Sequence, residues 1–492
     1  MKHKASSAAA FTKETMTAEH SDASAATGDR QVARPPRQTS SRLAIDATGL
    51  MFWPPGEGLA GIPRVESFLV NAALADPDPS VEVVACRSGR FRPLAAYEQE
   101  HVAAGEISPH RVKRWPGRHM ALSQAFETVR QQPWDKRGMD CHLAKTVTNG
   151  RKGIAYQATR LLIRAYRLYR RARAWAWSGL RGYAPAPLAE TEPGLVLISH
   201  HILTHEDRSA VSGTAGKLAF LCHDIIPQLR PDLLGTSGGE GRYGSYLEQL
   251  VRSGAPAFCA SNEVGATLTD HMREAGIATP VVYRFPMPSI LHANASRAGT
   301  TSRIESGEPF VLYCSTIEVR KNHILLARVW QQAREEGVKL PRLICAGRWG
   351  WMIEPLRAYL KAHPELLQSV TFTGLVSDEQ LIRYYRSATF GVFPSHIEGW
   401  GYGASECLDF GVPVIVSTAP SLIEASGGMM PAIDSNDQAG WYAAIRRMAE
   451  DHDWRSSLVE RIARQHRPTP ASASWAAIKA GLQASVSRAS NA

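Results

Sequence analysis

Short apolar runs of strand length recur from residue 43 to residue 416, and most are separated by stretches with helical patterning. Leu43-Ala-Ile-Asp-Ala, Val81-Glu-Val-Val-Ala85, Leu195-Val-Leu-Ile-Ser199, Leu218-Ala-Phe-Leu-Cys222, Ala257-Phe-Cys-Ala260 and Val281-Val-Tyr283 form a first set. Phe310-Val-Leu-Tyr-Cys314, Arg342-Leu-Ile-Cys-Ala346, Val370-Thr-Phe-Thr373, the run 389–393 and Val412-Pro-Val-Ile-Val416 form a second. Helices are expected around 322–336, 353–361 and 378–386, and from about 403. This alternation predicts βα units, a parallel sheet in each set and helices on both faces, because βα crossovers cover a parallel sheet on two sides. At 492 residues the chain exceeds one ordinary core. The fold class expected is therefore α/β with two doubly wound domains facing a cleft, at 41–290 and 309–470. The polar, small-residue stretch Ala293 through Gly307 marks a linker (291–308), 471–492 a C-terminal helix and tail, and 1–40 a disordered tail.

Charge distribution narrows the partners. The formal net charge is +10, and from Cys141 through Ala189 there are ten Lys and Arg with no Asp or Glu. On a helix, Arg160, Arg164, Arg167 and Arg171 share one stripe about 60° wide, with Leu162, Ala165 and Tyr169 opposite and Trp175, Trp177 and Tyr183 beyond. That insert, 141–189, reads either as an in-plane helix on an anionic membrane surface or as a helix packed on its own domain. No nucleic-acid reading module accompanies the charge, so nucleic acid is not an expected partner. No apolar run approaches the ~18 residues of a membrane span, and the N-terminus lacks the apolar core of a secretory signal. A cytoplasmic protein is expected, peripheral at the inner face of the membrane if the insert binds lipid. Seven scattered cysteines without zinc spacing predict buried thiols and no metal.

Five segments carry chemistry. Glu398-Gly-Trp-Gly-Tyr-Gly-Ala-Ser-Glu406 follows a strand, and its glycines admit a ligand close to backbone N–H groups. Two carboxylates around a helix start suit a polyol joined to a phosphate. Arg320 and Lys321, in Ser315 through His323, leave a strand and open a helix, where adjacent cations could hold a diphosphate. Cys222-His-Asp-Ile-Ile-Pro227 brings His223 and Asp224 to a strand end, to position a hydroxyl or simply to be satisfied by neighbours. Gly58-Leu-Ala-Gly-Ile-Pro-Arg64 permits backbone approach to an anion, without a dinucleotide fingerprint. Pro420 through Gly428 either borders the same ligand or is a plain turn.

Together these segments, over roughly 42–475, resemble the retaining, nucleotide-sugar-dependent glycosyltransferases of the GT-B fold, family 4 (group 1), and within it bacterial mannosyltransferases. Gly61-Ile-Pro-Arg-Val65, His223-Asp-Ile-Ile-Pro227, Ala260-Ser-Asn262, Arg320-Lys-Asn-His323, Thr373 through Leu381, and Phe393-Pro-Ser through Glu406 are similar to the family's successive signatures. The resemblance implies two Rossmann-like domains. It implies Arg320 and Lys321 on the donor diphosphate, Glu406 on the ribose, and Glu398 facing the donor sugar with Gly399, Trp400, Gly401 and Tyr402 beside it. Gly61 would approach the phosphate, and His223 would sit beside the transferred sugar. The catalytic set is thus His223, Glu398, Arg320 and Lys321. No cofactor and no metal are implied; the partners are a nucleotide-sugar donor, with GDP-mannose favoured, and a glycan or lipid-linked acceptor in surface polysaccharide synthesis. Thr316 stands where many members carry another Arg, and Tyr402-Gly403 where relatives have Leu-Pro. The other readings are a GT-B sugar-nucleotide epimerase or hydrolase, and a catalytically silent scaffold that binds membrane or polyanion.

Overall fold

The computed structural model describes residues 42–51, 61–87, 90–94, 96–103, 194–198, 218–234, 240–299, 304 and 308–491. The tail 1–40 and the basic insert 141–189 lie outside the described residues.

Two sheets organise the rest. In the N-terminal domain β1 (Leu43–Asp46), β2 (Val81–Arg87), β3 (Arg90–Pro93), β4 (Leu195–Ile198), β5 (Leu218–Cys222), β6 (Ala257–Cys259) and β7 (Val282–Arg284) lie in the order β3-β2-β1-β4-β5-β6-β7. All pairs are parallel except β2 with β3. In the C-terminal domain β8 (Phe310–Cys314), β9 (Arg342–Ala346), β10 (Val370–Gly374), β11 (Phe390–Phe393), β12 (Val414–Ser417) and β13 (Ala432–Ile433) lie in the order β10-β9-β8-β11-β12-β13, all parallel. The expected α/β class of two doubly wound sheets is borne out. Each order reverses once, between β1 and β4 and between β8 and β11, and such switch points open a crevice at the carboxyl ends of the strands.

The strands form where the runs are apolar because helices cover both faces. All four residues of β1, β4, β11 and β12 are buried. β3 was not expected: Arg-Phe-Arg-Pro is an edge strand that pairs antiparallel with β2, and edges tolerate charge and Pro.

The expected linker is corrected. Ile290–Arg297 is a helix whose Leu291 and Ala295 are buried in the C-terminal core. The chain crosses earlier, between Met287, in the N-terminal core, and Ser289. It crosses again after the helix His452–Gln465, whose Leu458 and Ile462 belong to the C-terminal core. The final helix, Ala471–Asn491, returns to the N-terminal domain and buries Ile478 and Leu482 there. Asp76 anchors it, accepting from Trp475 Nε1 at 2.6 Å and Lys479 Nζ at 2.8 Å. The two crossings touch: Ser289 N–H donates to Thr469 O at 3.0 Å and Thr469 N–H to Ser289 Oγ at 2.9 Å.

Ile478 is fully buried. Ile478→Ala should therefore cost about 2–4 kcal/mol in chemical denaturation, the range for a truncated core aliphatic; a loss within error would mean that the last helix is not part of the N-terminal core.

Candidate active site

Three of the catalytic segments begin at strand ends that face one another. β8 leads through a single 3₁₀ turn, Val319–Lys321, to Asn322 and the helix His323–Glu335. Arg320 and Lys321 therefore sit on that turn, one residue before the α-helix they were expected to open. Asn322 makes the junction in the left-handed region, φ 57°, which Asn tolerates better than most residues, and its Nδ2 donates to Ser435 O at 2.8 Å. Under the turn lies Tyr313, whose hydroxyl donates to Lys321 O at 2.6 Å and whose ring stacks on His323. Burial, aided by the Lys321 charge, pushes the His323 pKa down to about 3, so this imidazole is neutral.

β11 delivers Glu398, and Gly401 starts the helix Tyr402–Asp409 at φ 103°. Gly399 has to be glycine: a Cβ there would lie 2.1 Å from the carbonyl oxygen of His223, which follows β5. The Glu398 loop thus rests directly on the His223 backbone across the domain interface. Ser261 reinforces the contact, capping the helix Asn262–Glu274 while its hydroxyl donates to Gly399 O at 2.8 Å. Trp351 Nε1 donates to Leu233 O at 3.0 Å on the opposite rim. The result is a cleft of about 550 Å³, the scale of a small-ligand site.

Gly61, His223, Arg320, Lys321, Glu398, Gly399, Trp400, Gly401, Tyr402 and Glu406 all line this one cleft. Gly61, φ 59°, is the N-cap of the helix Ile62–Leu74, with Pro63 in its first turn. Trp400 and Tyr402 also pack against the N-terminal core, so they join the domains as well as bordering the cavity. Gly403 is demanded by packing, since a Cβ would meet Phe393 and the Cys314 carbonyl oxygen at 2.4 and 2.8 Å. Of the Pro420 through Gly428 segment, Glu424 pairs with Asn262 and Arg284 across the interface, and the two glycines lie outside the cleft lining.

The electrostatics are those of cations held in reserve. Lys321 Nζ bonds Glu398 Oε1, and Arg320 Nη1 donates to Glu398 Oε2 at 2.7 Å and to Ile397 O at 2.8 Å. Arg320 Nη2 stands 2.6 Å from Glu318 Oε1. Burial alone would raise the Glu398 pKa, but Lys321 and Arg320 overcome it and hold the group at about 2. Glu406 is the opposite case: burial dominates and raises its pKa despite Arg64. Burial and the neighbouring Arg320 lower that of Lys321.

Residues that the motif reading left without a role also meet here. Arg64 reaches across from the N-terminal domain to Glu406 and Asp378, at 3.0 and 2.7 Å. Tyr385 donates to Glu406 Oε2 at 2.7 Å. Arg348 lines the cleft from the end of β9. The usable signal for Arg348 was Ala346-Gly-Arg348 at a strand end, where Gly347 packs on the Ser315 carbonyl. Arg64 lay inside a quoted motif.

Glu398→Gln should lower stability by about 3 kcal/mol near neutral pH, since it takes the carboxylate from buried Lys321 and leaves buried Arg320 with Glu318 as its remaining ion partner. A carboxylate whose folded pKa is depressed stabilises above its unfolded value and loses that contribution as pH falls. The gap between wild type and variant should therefore be full above the ordinary value of 4.5 and close toward about pH 2. Thermal melts across that window check this, and a pH-independent gap would contradict the ion triad.

Residues 308–451 match the family "Glycosyl transferases group 1". The chain is similar to "O-antigen chain mannosyltransferase B" of Escherichia coli, 32% identical over 152 residues, or 31% of this chain and 40% of the relative. It is also similar to "Serotype-specific mannosyltransferase WbdA" of Escherichia coli, 26% identical over 254 residues, or 48% of this chain and 31% of the relative. The matches thus span less than half the length of either relative. Among solved structures, an alpha,alpha-trehalose-phosphate synthase (UDP-forming) from Burkholderia vietnamiensis superposes with a TM-score of 0.49 at 13% identity, covering 90% of this chain and 99% of that one; this is too weak a likeness to add to the fold described above. The segment matched to the group 1 glycosyltransferases is the C-terminal domain, the one that carries Arg320, Lys321, Glu398 and Glu406.

Proposed function

We propose that the protein is a retaining glycosyltransferase that moves a hexose, with mannose favoured, from a nucleoside diphosphate sugar to a hydroxyl of a glycan or lipid-linked acceptor in surface polysaccharide synthesis. The observation that carries this reading is the cation pair Arg320 and Lys321 gathered on Glu398 in a cleft closed by both domains. When the bond between the sugar's anomeric carbon and the diphosphate oxygen lengthens, negative charge grows on the leaving diphosphate. Lys321 has three donors and Arg320 five, enough to serve Glu398 and the diphosphate together. Their positions are set before the donor arrives, by Tyr313 beneath Lys321 and by Glu318 and Ile397 O beside Arg320, so little reorganisation accompanies the step.

Both oxygens of Glu398 are committed to cations and its pKa is about 2, which makes it a poor nucleophile. This favours attack by the acceptor on the face the diphosphate leaves, with no glycosyl-enzyme. In the proposal, Arg320 and Lys321 supply the charge neutralisation and no metal is required. The His223 strand end, against which Gly399 packs, borders the transferred sugar. Mannose is favoured by the two Escherichia coli relatives named as mannosyltransferases, and GDP-mannose by the resemblance carried on Gly61-Ile-Pro-Arg-Val65 and His223-Asp-Ile-Ile-Pro227. A lipid-linked acceptor suits work at the inner face of the cell membrane, where the 141–189 insert would meet anionic lipid. Among the described residues no helix is long and apolar enough to cross a membrane.

The first test is a thermal-shift screen with nucleoside diphosphates. The donor's base should stabilise the fold by RT ln(1 + [L]/Kd), and a protein indifferent to all of them would end the reading. In the second, Lys321→Ala should cost at least about 3 kcal/mol of transition-state stabilisation, more than a hundredfold in turnover, with the melting profile showing a folded protein. Turnover equal to wild type would remove the diphosphate from Lys321.

A further inference from the structure

Arg64 is a charged group of the cleft to which the donor-site reading gives no part. It lies in the first turn of the helix Ile62–Leu74 and, among the described residues, is the only Arg or Lys of the N-terminal domain that lines the cleft. Its guanidinium crosses the interface as a fork. Nη1 donates to Glu406 Oε1 at 3.0 Å and Nη2 to Asp378 Oδ1 at 2.7 Å. The two acids differ: Glu406 is 3% exposed, whereas the Asp378 side chain, at the start of the helix Asp378–Ser387, is 46% exposed. The second oxygen of Glu406 accepts from the Tyr385 hydroxyl. Glu406 is therefore gripped on both oxygens, once by its own domain and once by the other.

A carboxylate offers about four acceptor positions. Arg64 and Tyr385 use two, and the grip fixes where the other two point. We propose that Arg64 is a positioning residue for the nucleoside half of the donor: from the N-terminal domain it holds Glu406 as an oriented acceptor for the ribose hydroxyls, so that ribose recognition is complete only when the domains meet. The inference rests on the glycosyltransferase reading, in which Glu406 takes the ribose.

The chemistry requires a cation at this place. Glu406 is buried, and the nearby acids Asp409 and Asp378 further disfavour its charge. Deprived of Arg64 it would face burial with only the Tyr385 hydroxyl as donor, and protonation would turn one of its oxygens from an acceptor into a donor. Lysine is only a partial substitute, because a point charge on a flexible stem cannot bridge two acids as a planar fork does.

Calorimetric titration of the full chain and its variants separates this role from a merely structural one. The probes are the ribonucleoside diphosphate that stabilises wild type best, its 2′,3′-dideoxy analogue and inorganic pyrophosphate. Arg64→Met should weaken the ribonucleotide by about tenfold or more, the loss of a charge-supported hydrogen-bond acceptor. Binding of pyrophosphate and of the dideoxy analogue should stay within about twofold, since neither reaches Glu406. Arg64→Lys should recover part of the loss, and Arg64→Met should add nothing in a Glu406→Gln background. Should Arg64→Met fail to fold, Arg64→Lys carries the same three-ligand comparison. Equal weakening of all three ligands, or tighter ribonucleotide binding to Arg64→Met, would overturn the assignment. Wild type that binds no nucleoside diphosphate would instead overturn the glycosyltransferase reading beneath it.

Discussion

Charge buried in a closed cleft is the constraint around which the structure is arranged. Arg64, Arg320 and Lys321 share a cavity with Asp224, Glu318, Glu398 and Glu406, and a buried ion without a partner costs several kcal/mol. Apart from Arg320 with Glu318, the pairs that neutralise them are not local. Glu398 follows β11 while its cations follow β8, and Glu406 answers to a helix of the other domain. The strand ends can approach only if glycine stands where the loops touch, hence Gly399 on the His223 carbonyl and Gly347 on the Ser315 carbonyl. The 3₁₀ turn and the left-handed Asn322 aim two consecutive cations at one carboxylate. A site so organised is neutralised at rest by its own acids, yet keeps donors to spare for an anionic ligand.

What was legible in the sequence follows from how each feature is stabilised. Strands buried on both faces must be almost continuously apolar, so Phe310–Cys314 and Val414–Ser417 announce themselves. Arg90–Pro93 does not, because an edge strand needs only one partner and carries charge without penalty. The helix Ile290–Arg297 was hidden for another reason. It is held by little more than Leu291 and Ala295, and Asn, Ala and Ser give it the composition of a loop. That Ala471–Asn491 returns to the first domain was beyond reach of local pattern, since periodicity shows that a helix has an apolar face but not what covers it. The ten candidate residues sit in short motifs between a strand and a helix or at a helix start, and they share one cleft. The partnership of Arg64 with Glu406 joins positions 342 residues apart and leaves no spacing to read. Tyr402, which the resemblance puts beside Glu398, packs against the N-terminal core, and that packing explains its bulk independently of any ligand.

The double passage of the chain between domains has a mechanical meaning. Its outward leg ends at Ser289 and its return leg holds Thr469, and the two are hydrogen-bonded to each other, with Ser289 Oγ also donating to Asp409, which is in turn paired with His466. They form the spine of a book whose covers are the two sheets. The two passages meet at one place, so the covalent and hydrogen-bonded joint between the domains is concentrated around Ser289, Thr469, Asp409 and His466. Away from that joint, Gly399 on the His223 carbonyl and Arg64 on Glu406 are further contacts between the same two domains. Because the helix Ala471–Asn491 packs on the N-terminal core, a cut in either passage alone leaves the two domains linked by the other, through the chain or through that helix's packing.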